Sequence, residues 1–264
     1  MNLDITSVLD NWPFHHDDVS ARRILGDDGT EKIQMRLDLG LLQMDLDGRP
    51  DGRRPHGHES YLAYHIQRLK TYRQESGTEG GFVLTEPECE ELRREAMQYY
   101  HRYVALSSLN DFERLVRDTG RNLQLLDLIW QHAPGDEKWS GEQFRPYLVM
   151  MHTRGQVLLS LKADDITAAL LQIRSGLQSL EDYFRKHKRD EMIAQCQEIT
   201  ALRKWAQELD EKRPVTLKER LEKDLAEAVR NEQYERAASL RDELKGLNAF
   251  DSPASAGPAP NGEP

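Results

Sequence analysis

The stretch RLEKDLAEAVRNEQYERAASLRDELKGL, from Arg220 to Leu247, carries the plainest rhythm in the chain. Leu217, Leu221, Leu225 and Ala228 recur at spacings of four, four and three. After a polar break at Asn231 and Glu232, Tyr234, Ala237, Leu240, Leu244 and Leu247 take up the same rhythm. Residues three and four apart share one face of an α-helix. The stretch therefore predicts two short amphipathic helices turning back on each other, with Ala237 and Ala238 small enough to permit a close approach. From Arg213 to Leu247 eight cations face eight anions, and neighbours such as Glu219 and Lys223 are spaced to pair along a helix. A neutral hairpin of this kind suits helix–helix recognition better than duplex binding.

An aromatic, an acidic residue, a small pair and a Leu-Arg-Asp run follow the leucine-patterned first helix. They stand here as Tyr234, Glu235, Ala237-Ala238 and Leu240-Arg241-Asp242. In this the stretch resembles the UVR motif, the helical hairpin near the C-terminus of the excision-repair protein UvrB and, more internally, of UvrC. The resemblance covers about 30 of the 264 residues. It implies a protein–protein contact without catalytic groups, made by pairing with another UVR-type hairpin, either a second copy (a homodimer) or a UvrB/UvrC-like protein. Leu221, Leu225, Tyr234, Ala237, Ala238, Leu240, Arg241 and Leu244 are the expected partner-binding residues. A hairpin of this length buries little by itself, so pairing would cover its apolar stripe. The resemblance leaves DNA excision repair, or regulation of a protease or kinase complex, as settings for that contact.

Working outward, the same period runs back to Thr85. Leu92, Ala96, Tyr99, Tyr103 and Leu106 form one stripe, and Phe112, Leu115, Thr119, Leu123, Leu126 and Trp130 the next. Asn110 with Glu113 reads as a capping box for the second of these helices. Ala133 to Gly141 reads as a loop, and Ser140 with Gln143 as a second cap at its end. Tyr147, Met151, Leu158 and Leu161 mark a third helix. Asp164 or Asp165 caps a fourth, and a fifth spans about Asp190 to Glu211 with Cys196, Ile199, Leu202 and Leu209 inward. Long helices with short connections favour an antiparallel bundle or a tetratricopeptide-like stack. RGQVLLSLKADDITAALLQIRSGL resembles one such repeat, with Gly155 and Ala168 or Ala169 near its small positions, but no second copy stands in register.

The N-terminal part differs. Ser20 to Leu25 reads as a strand, and GDDGT as the turn after it. In EKIQMRLDLGLLQMDLDG the residues Ile33, Met35, Leu37, Leu39 and Leu41 alternate with polar ones, a half-buried strand pattern. At Leu41-Leu42 the parity flips, predicting a bulge or bend beside Gly40 within a β-hairpin; a helix is the alternative for this run, since Leu and Met are good helix formers. A helix is expected from Ser60 to about Glu75. The fold class is thus mainly α with a small N-terminal β-hairpin (α+β). Residues 1–75 form a small N-terminal module, 76–84 a linker, 85–212 a helical domain, 214–248 the hairpin behind Pro214, and 249–264 a disordered Pro/Ala/Gly/Ser tail.

Composition narrows the functional classes. With 36 basic against 46 acidic residues the formal charge is −10, which disfavours general nucleic-acid binding. Cys89 and Cys196 stand far apart, so neither a disulfide framework nor a four-cysteine zinc site is indicated. His15, His16, His56, His58 and His65 lack metal-site spacing; no metal or cofactor is expected. No Walker loop, dinucleotide fingerprint or nucleophile elbow occurs, and no catalytic residue is assigned. The start has no basic segment leading into an apolar run, and no stretch is long enough to span a membrane, so a cytoplasmic location is expected. The loop from Gly48 to His58 carries a local basic cluster between glycines and prolines. Arg49, Arg53, Arg54 and His56 there are candidates for binding an anion, or nucleic acid, through guanidinium forks.

Overall fold

The computed structural model describes residues 4–213 and 217–250. It divides into two compact units, Met1–Glu211 and Lys212–Pro264. In the first unit β1 (Ala21–Leu25), β2 (Glu31–Leu37) and β3 (Gly40–Asp45) form an antiparallel sheet in the order β1-β2-β3. The GDDGT turn closes as Gly26 N–H donates to Thr30 O at 2.8 Å and Asp28 Oδ1 accepts from Thr30 N–H at 3.0 Å.

The expected bulge is a tight turn instead. Leu37 pairs with Gly40, Met35 with Leu42 and Ile33 with Met44, so only Asp38 and Leu39 link β2 to β3. A two-residue hairpin connection puts odd positions of one strand opposite even positions of the next, and that alone reverses the parity. Leu39 therefore sits on the turn, 91% exposed. Ile33, Met35 and Met44 are buried. On the outer face, Arg22 Nε donates to Gln34 Oε1 at 2.8 Å and Gln34 Nε2 to Gln43 Oε1 at 2.9 Å, a polar row across all three strands. Trp12, just after the short helix α1 (Thr6–Leu9), lies 4.0 Å from the Arg22 guanidinium and covers one end of that row.

Seven helices follow in this unit: α2 (Tyr61–Ser76), α3 (Glu86–Ser108), α4 (Phe112–His132), α5 (Trp139–Glu142), α6 (Arg145–Lys162), α7 (Ile166–Lys186) and α8 (Gln197–Lys212). Their starts follow the chemistry of unsatisfied first-turn amides. Ser60 Oγ accepts from Ala63 N–H, Thr85 and Glu88 form a reciprocal capping box, and Asp165 accepts from Ala168 N–H. Three sequence expectations are corrected. The cap of α4 is Asp111, because Asn110 takes the left-handed conformation that ends α3. Ser140 lies inside α5, part of a structured connection in which Trp139 packs edge-on to Trp130 at 4.9 Å. A 3-10 turn at Asp190–Met192 delays α8 to Gln197.

The sheet, α2, α3 and α4 share one apolar cluster, which also takes Phe82 and Leu84 from the segment read as a linker. A second cluster joins α6, α7 and α8 through Val157, Ile173, Leu180, Ile199 and Leu202. Where the chain leaves β3, a buried ionic pair fixes it to the helices. Arg102 gives Nε and Nη2 to both oxygens of Asp118 at 2.7 and 2.9 Å, and Nη1 to the carbonyls of Asp45 and Gly48. Glu95 on α3 accepts the first amides of α2, Tyr61 N–H at 2.8 Å and Leu62 N–H at 3.1 Å, with Arg49 and Arg121 as its counter-ions. A carboxylate at that helix end meets both orphan donors and the positive end of the dipole.

Candidate protein-interaction surface

The second unit holds α9 (Leu217–Arg230) and α10 (Tyr234–Phe250), the hairpin expected from the sequence. Helix α10 runs two residues into the stretch read as a tail; Pro214 and residues 251–264 lie outside the described residues, as do the side chains of Leu217, Glu219 and Leu247.

Its turn is built from backbone hydrogen bonds. Gln233 N–H donates to Ala228 O at 2.8 Å and Glu232 N–H to Val229 O at 3.1 Å, with Glu232 left-handed at φ 57°. This is the Schellman arrangement, which satisfies the last carbonyls of a helix. The same turn recurs in the first unit, twice between α-helices and once where α7 ends, with Lys188 at φ 55° and Arg189 N–H on Phe184 O at 2.9 Å. At α3–α4 Asp111 N–H reaches Leu106 O with Asn110 at φ 57°, and at α6–α7 Asp165 N–H reaches Ser160 O with Asp164 at φ 57°. In the turns between α-helices one capping position then leads into the next helix.

Counted from the left-handed residue, the three hairpins agree at some positions and differ at others. The fourth residue of the second helix is buried in all: Leu115, Ala169 and Ala237. Seven residues on, Asn122, Gly176 and Leu244 are buried too. The first residue is not alike. Phe112 and Ile166 are half-buried and packed on the core, whereas Tyr234 is 71% exposed. Three residues before the left-handed position, Leu161 packs on the core while Val229 is 55% exposed.

Within the hairpin the buried residues are Leu221, Ala228, Ala237 and Leu244. Leu221 and Ala228 are two turns apart, as are Ala237 and Leu244, which makes them the seam between α9 and α10. At about 100° per residue, Leu225 and Val229 fall on one flank of that seam. Tyr234, Ala238 and Arg241 of the antiparallel α10 fall on the same flank, whereas Leu240 falls on the opposite one. Leu225, Ala238 and Leu240 are half-buried and Arg241 is exposed. Of the eight residues expected to bind a partner, Leu221, Ala237 and Leu244 lie in the inner seam, Leu225, Tyr234, Ala238 and Arg241 on the open face, and Leu240 on the opposite flank. Val229, absent from that set, belongs to the open face; its spacing of four from Leu225 is the signal that identifies it.

Residues 216–250 match the family described as UVR: UvrB/uvrC motif. The hairpin is a UVR motif. No curated protein and no solved structure matches the chain. UVR motifs mediate protein–protein interaction through a helical hairpin, generally by pairing with other UVR hairpins. Among the described residues of this UVR motif, the exposed large apolar side chains are Val229 and Tyr234, near the turn, and the half-buried Leu225 and Ala238 lie on the same flank.

The basic loop is split by the structure. Arg49 is largely buried, bound to Asp51 at 3.2 Å and Glu95 at 3.4 Å, with its guanidinium 5.1 Å from the Tyr61 ring. Arg53, Arg54 and His56 are exposed, and His56 stacks on Tyr64 at 4.2 Å in a left-handed conformation. Arg49 is therefore committed to the interior and the other three are not. Among the described residues no group of three or more His, Cys, Asp and Glu side chains could hold a metal ion, and no helix is long and apolar enough to cross a membrane.

Proposed function

We propose that this chain is a non-catalytic adaptor whose UVR motif docks against another helical hairpin through the face formed by Leu225, Val229, Tyr234 and Ala238. The observation that carries this is Tyr234, exposed at the position where the two other hairpins of the same build use a packed apolar residue. A tyrosine with an apolar neighbour on an otherwise charged surface has the character of an interface anchor. Excision repair of the UvrB/UvrC type is the setting the motif favours, with a UvrB/UvrC-like protein or a second copy as the partner. The test is co-precipitation of the full chain with UvrB, UvrC and a differently tagged copy of itself, set against a chain lacking residues 214–264. Capture that survives the truncation would remove the reading.

A DNA-associated accessory role is a second reading, favoured by the two exposed guanidinium groups of Arg53 and Arg54. Salt-dependent DNA binding that is lost on replacing both would support it.

A further inference from the structure

Beside α2 lies an open groove of about 460 Å³, remote in purpose from the hairpin. That volume falls in the range of small-molecule sites. Tyr64, Tyr72, Phe82 and Val83 form its apolar wall, and Val83 is 57% exposed there. The polar lining is rich in donors: His58, Gln67, Arg68 and Thr71, against the single carboxylate of Glu75.

Arg68 is held in place by its surroundings. Its guanidinium carbon lies 5.6 Å from the Tyr64 ring centre and 5.5 Å from that of Phe82. Its Nη1 donates to Glu88 and lies 3.0 Å from Nδ1 of His65. His65 is completely buried, and burial pushes its pKa down to about 4, so near neutrality the ring is uncharged and accepts from Arg68. One nitrogen of Arg68 is thus engaged by protein, while Nε and Nη2 remain for a ligand. A guanidinium that lines the groove with two nitrogens to spare, among hydroxyl and amide donors, suits a carboxylate or phosphate. Tyr72 and the exposed Val83, both lining the groove, suit a flat ring.

We propose that this groove binds a small anion carried on a flat ring, such as a nucleoside monophosphate or an aromatic carboxylate, with the anion on Arg68 and the ring against Tyr72 and Val83. Titration calorimetry on the full chain tests it with adenosine monophosphate and benzoate, their neutral counterparts adenosine and benzamide, and inorganic phosphate. At least one charged ring binds, and its neutral counterpart and phosphate alone bind at least about tenfold more weakly. Which charged ring binds distinguishes a phosphate from a carboxylate source. Thr71→Trp, filling the groove from an exposed helix position, and Arg68→Gln each weaken binding about tenfold or more, while Arg73→Gln on the same helix outside the lining leaves it unchanged. The proposal is overturned if neither charged ring binds, if the neutral rings bind equally well, or if Thr71→Trp and Arg68→Gln both bind like the original chain.

Discussion

Tyr234 stands in α10 where Phe112 stands in α4: each is the first helical residue after a left-handed residue and a capping position, yet only Phe112 is packed on a core. The fourth residues of the same helices, Ala237 and Leu115, are both buried. Seam and open face should therefore respond differently to charge. Leu244→Asp places a carboxylate in the seam and unfolds the hairpin, seen as lost helical circular dichroism. Tyr234→Asp, at an exposed position, leaves helicity unchanged. Equal loss in both variants would mean that Tyr234 holds the hairpin itself together.

The Arg102–Asp118 pair predicts a large effect in the first unit. Neither side chain is more than 1% exposed, and Arg102 also binds two carbonyls of the chain leaving β3. Arg102→Met leaves the buried Asp118 carboxylate with only the bond from Arg117 Nε at 2.9 Å and should lower unfolding stability by about 3 kcal/mol. Adding Asp118→Leu removes the under-compensated charge and should restore part of the loss. Urea unfolding of the two variants, followed by circular dichroism, measures both.

Acid should weaken the first unit before its carboxylates titrate. His65 is neutral when folded, its pKa lowered from 6.5 to about 4 by burial. The unfolded chain binds a proton below about pH 6.5 that the folded chain refuses until about pH 4, so stability falls with pH across that window. For one site of this shift the loss approaches about 3 kcal/mol by pH 4. His101, His152 and His187, also lowered by burial, act in the same direction. His65→Gln should flatten the dependence of the urea midpoint between pH 7 and pH 5; an unchanged slope would exclude His65 as its main source.

Close packing of α6 on α7 rests on Gly176. A β-carbon there would lie 2.3 Å from Thr153 Oγ1 and 2.7 Å from its Cγ2. Gly176→Ala should cost about 1–3 kcal/mol through overpacking, despite the better helix propensity of alanine. Thr153→Ala removes both clashing atoms and should recover most of that loss in the melting temperature of the double variant.

Much of this architecture is legible locally. Period identifies α3, α4, α7, the sheet and the UVR motif, because each buries one face and its apolar residues must repeat with the backbone. Ends are less legible, for a chemical reason: Asn110 and Asp111 can both cap a helix, and Asn also tolerates the left-handed conformation it adopts. The β2–β3 turn is misread because a phase flip is the signature of both a bulge and a two-residue turn. Arg49 is read as a free loop cation because its partner, Glu95, lies 46 positions away and no local spacing announces it. In the hairpin, the spacings that mark Leu221, Ala237 and Leu244 as apolar do not tell an inner seam from an outer face. That distinction needs the second helix in place.

Affinity measured with and without charge on the open face tests the docking account most directly. The full chain is titrated against UvrB, UvrC and a labelled copy of itself, by fluorescence anisotropy, beside its Tyr234→Asp variant. The account predicts that at least one of these binds and that Tyr234→Asp weakens it by about thirtyfold or more, the effect of losing an interface anchor, with helicity intact. Binding by a folded Tyr234→Asp chain at the original affinity would contradict it.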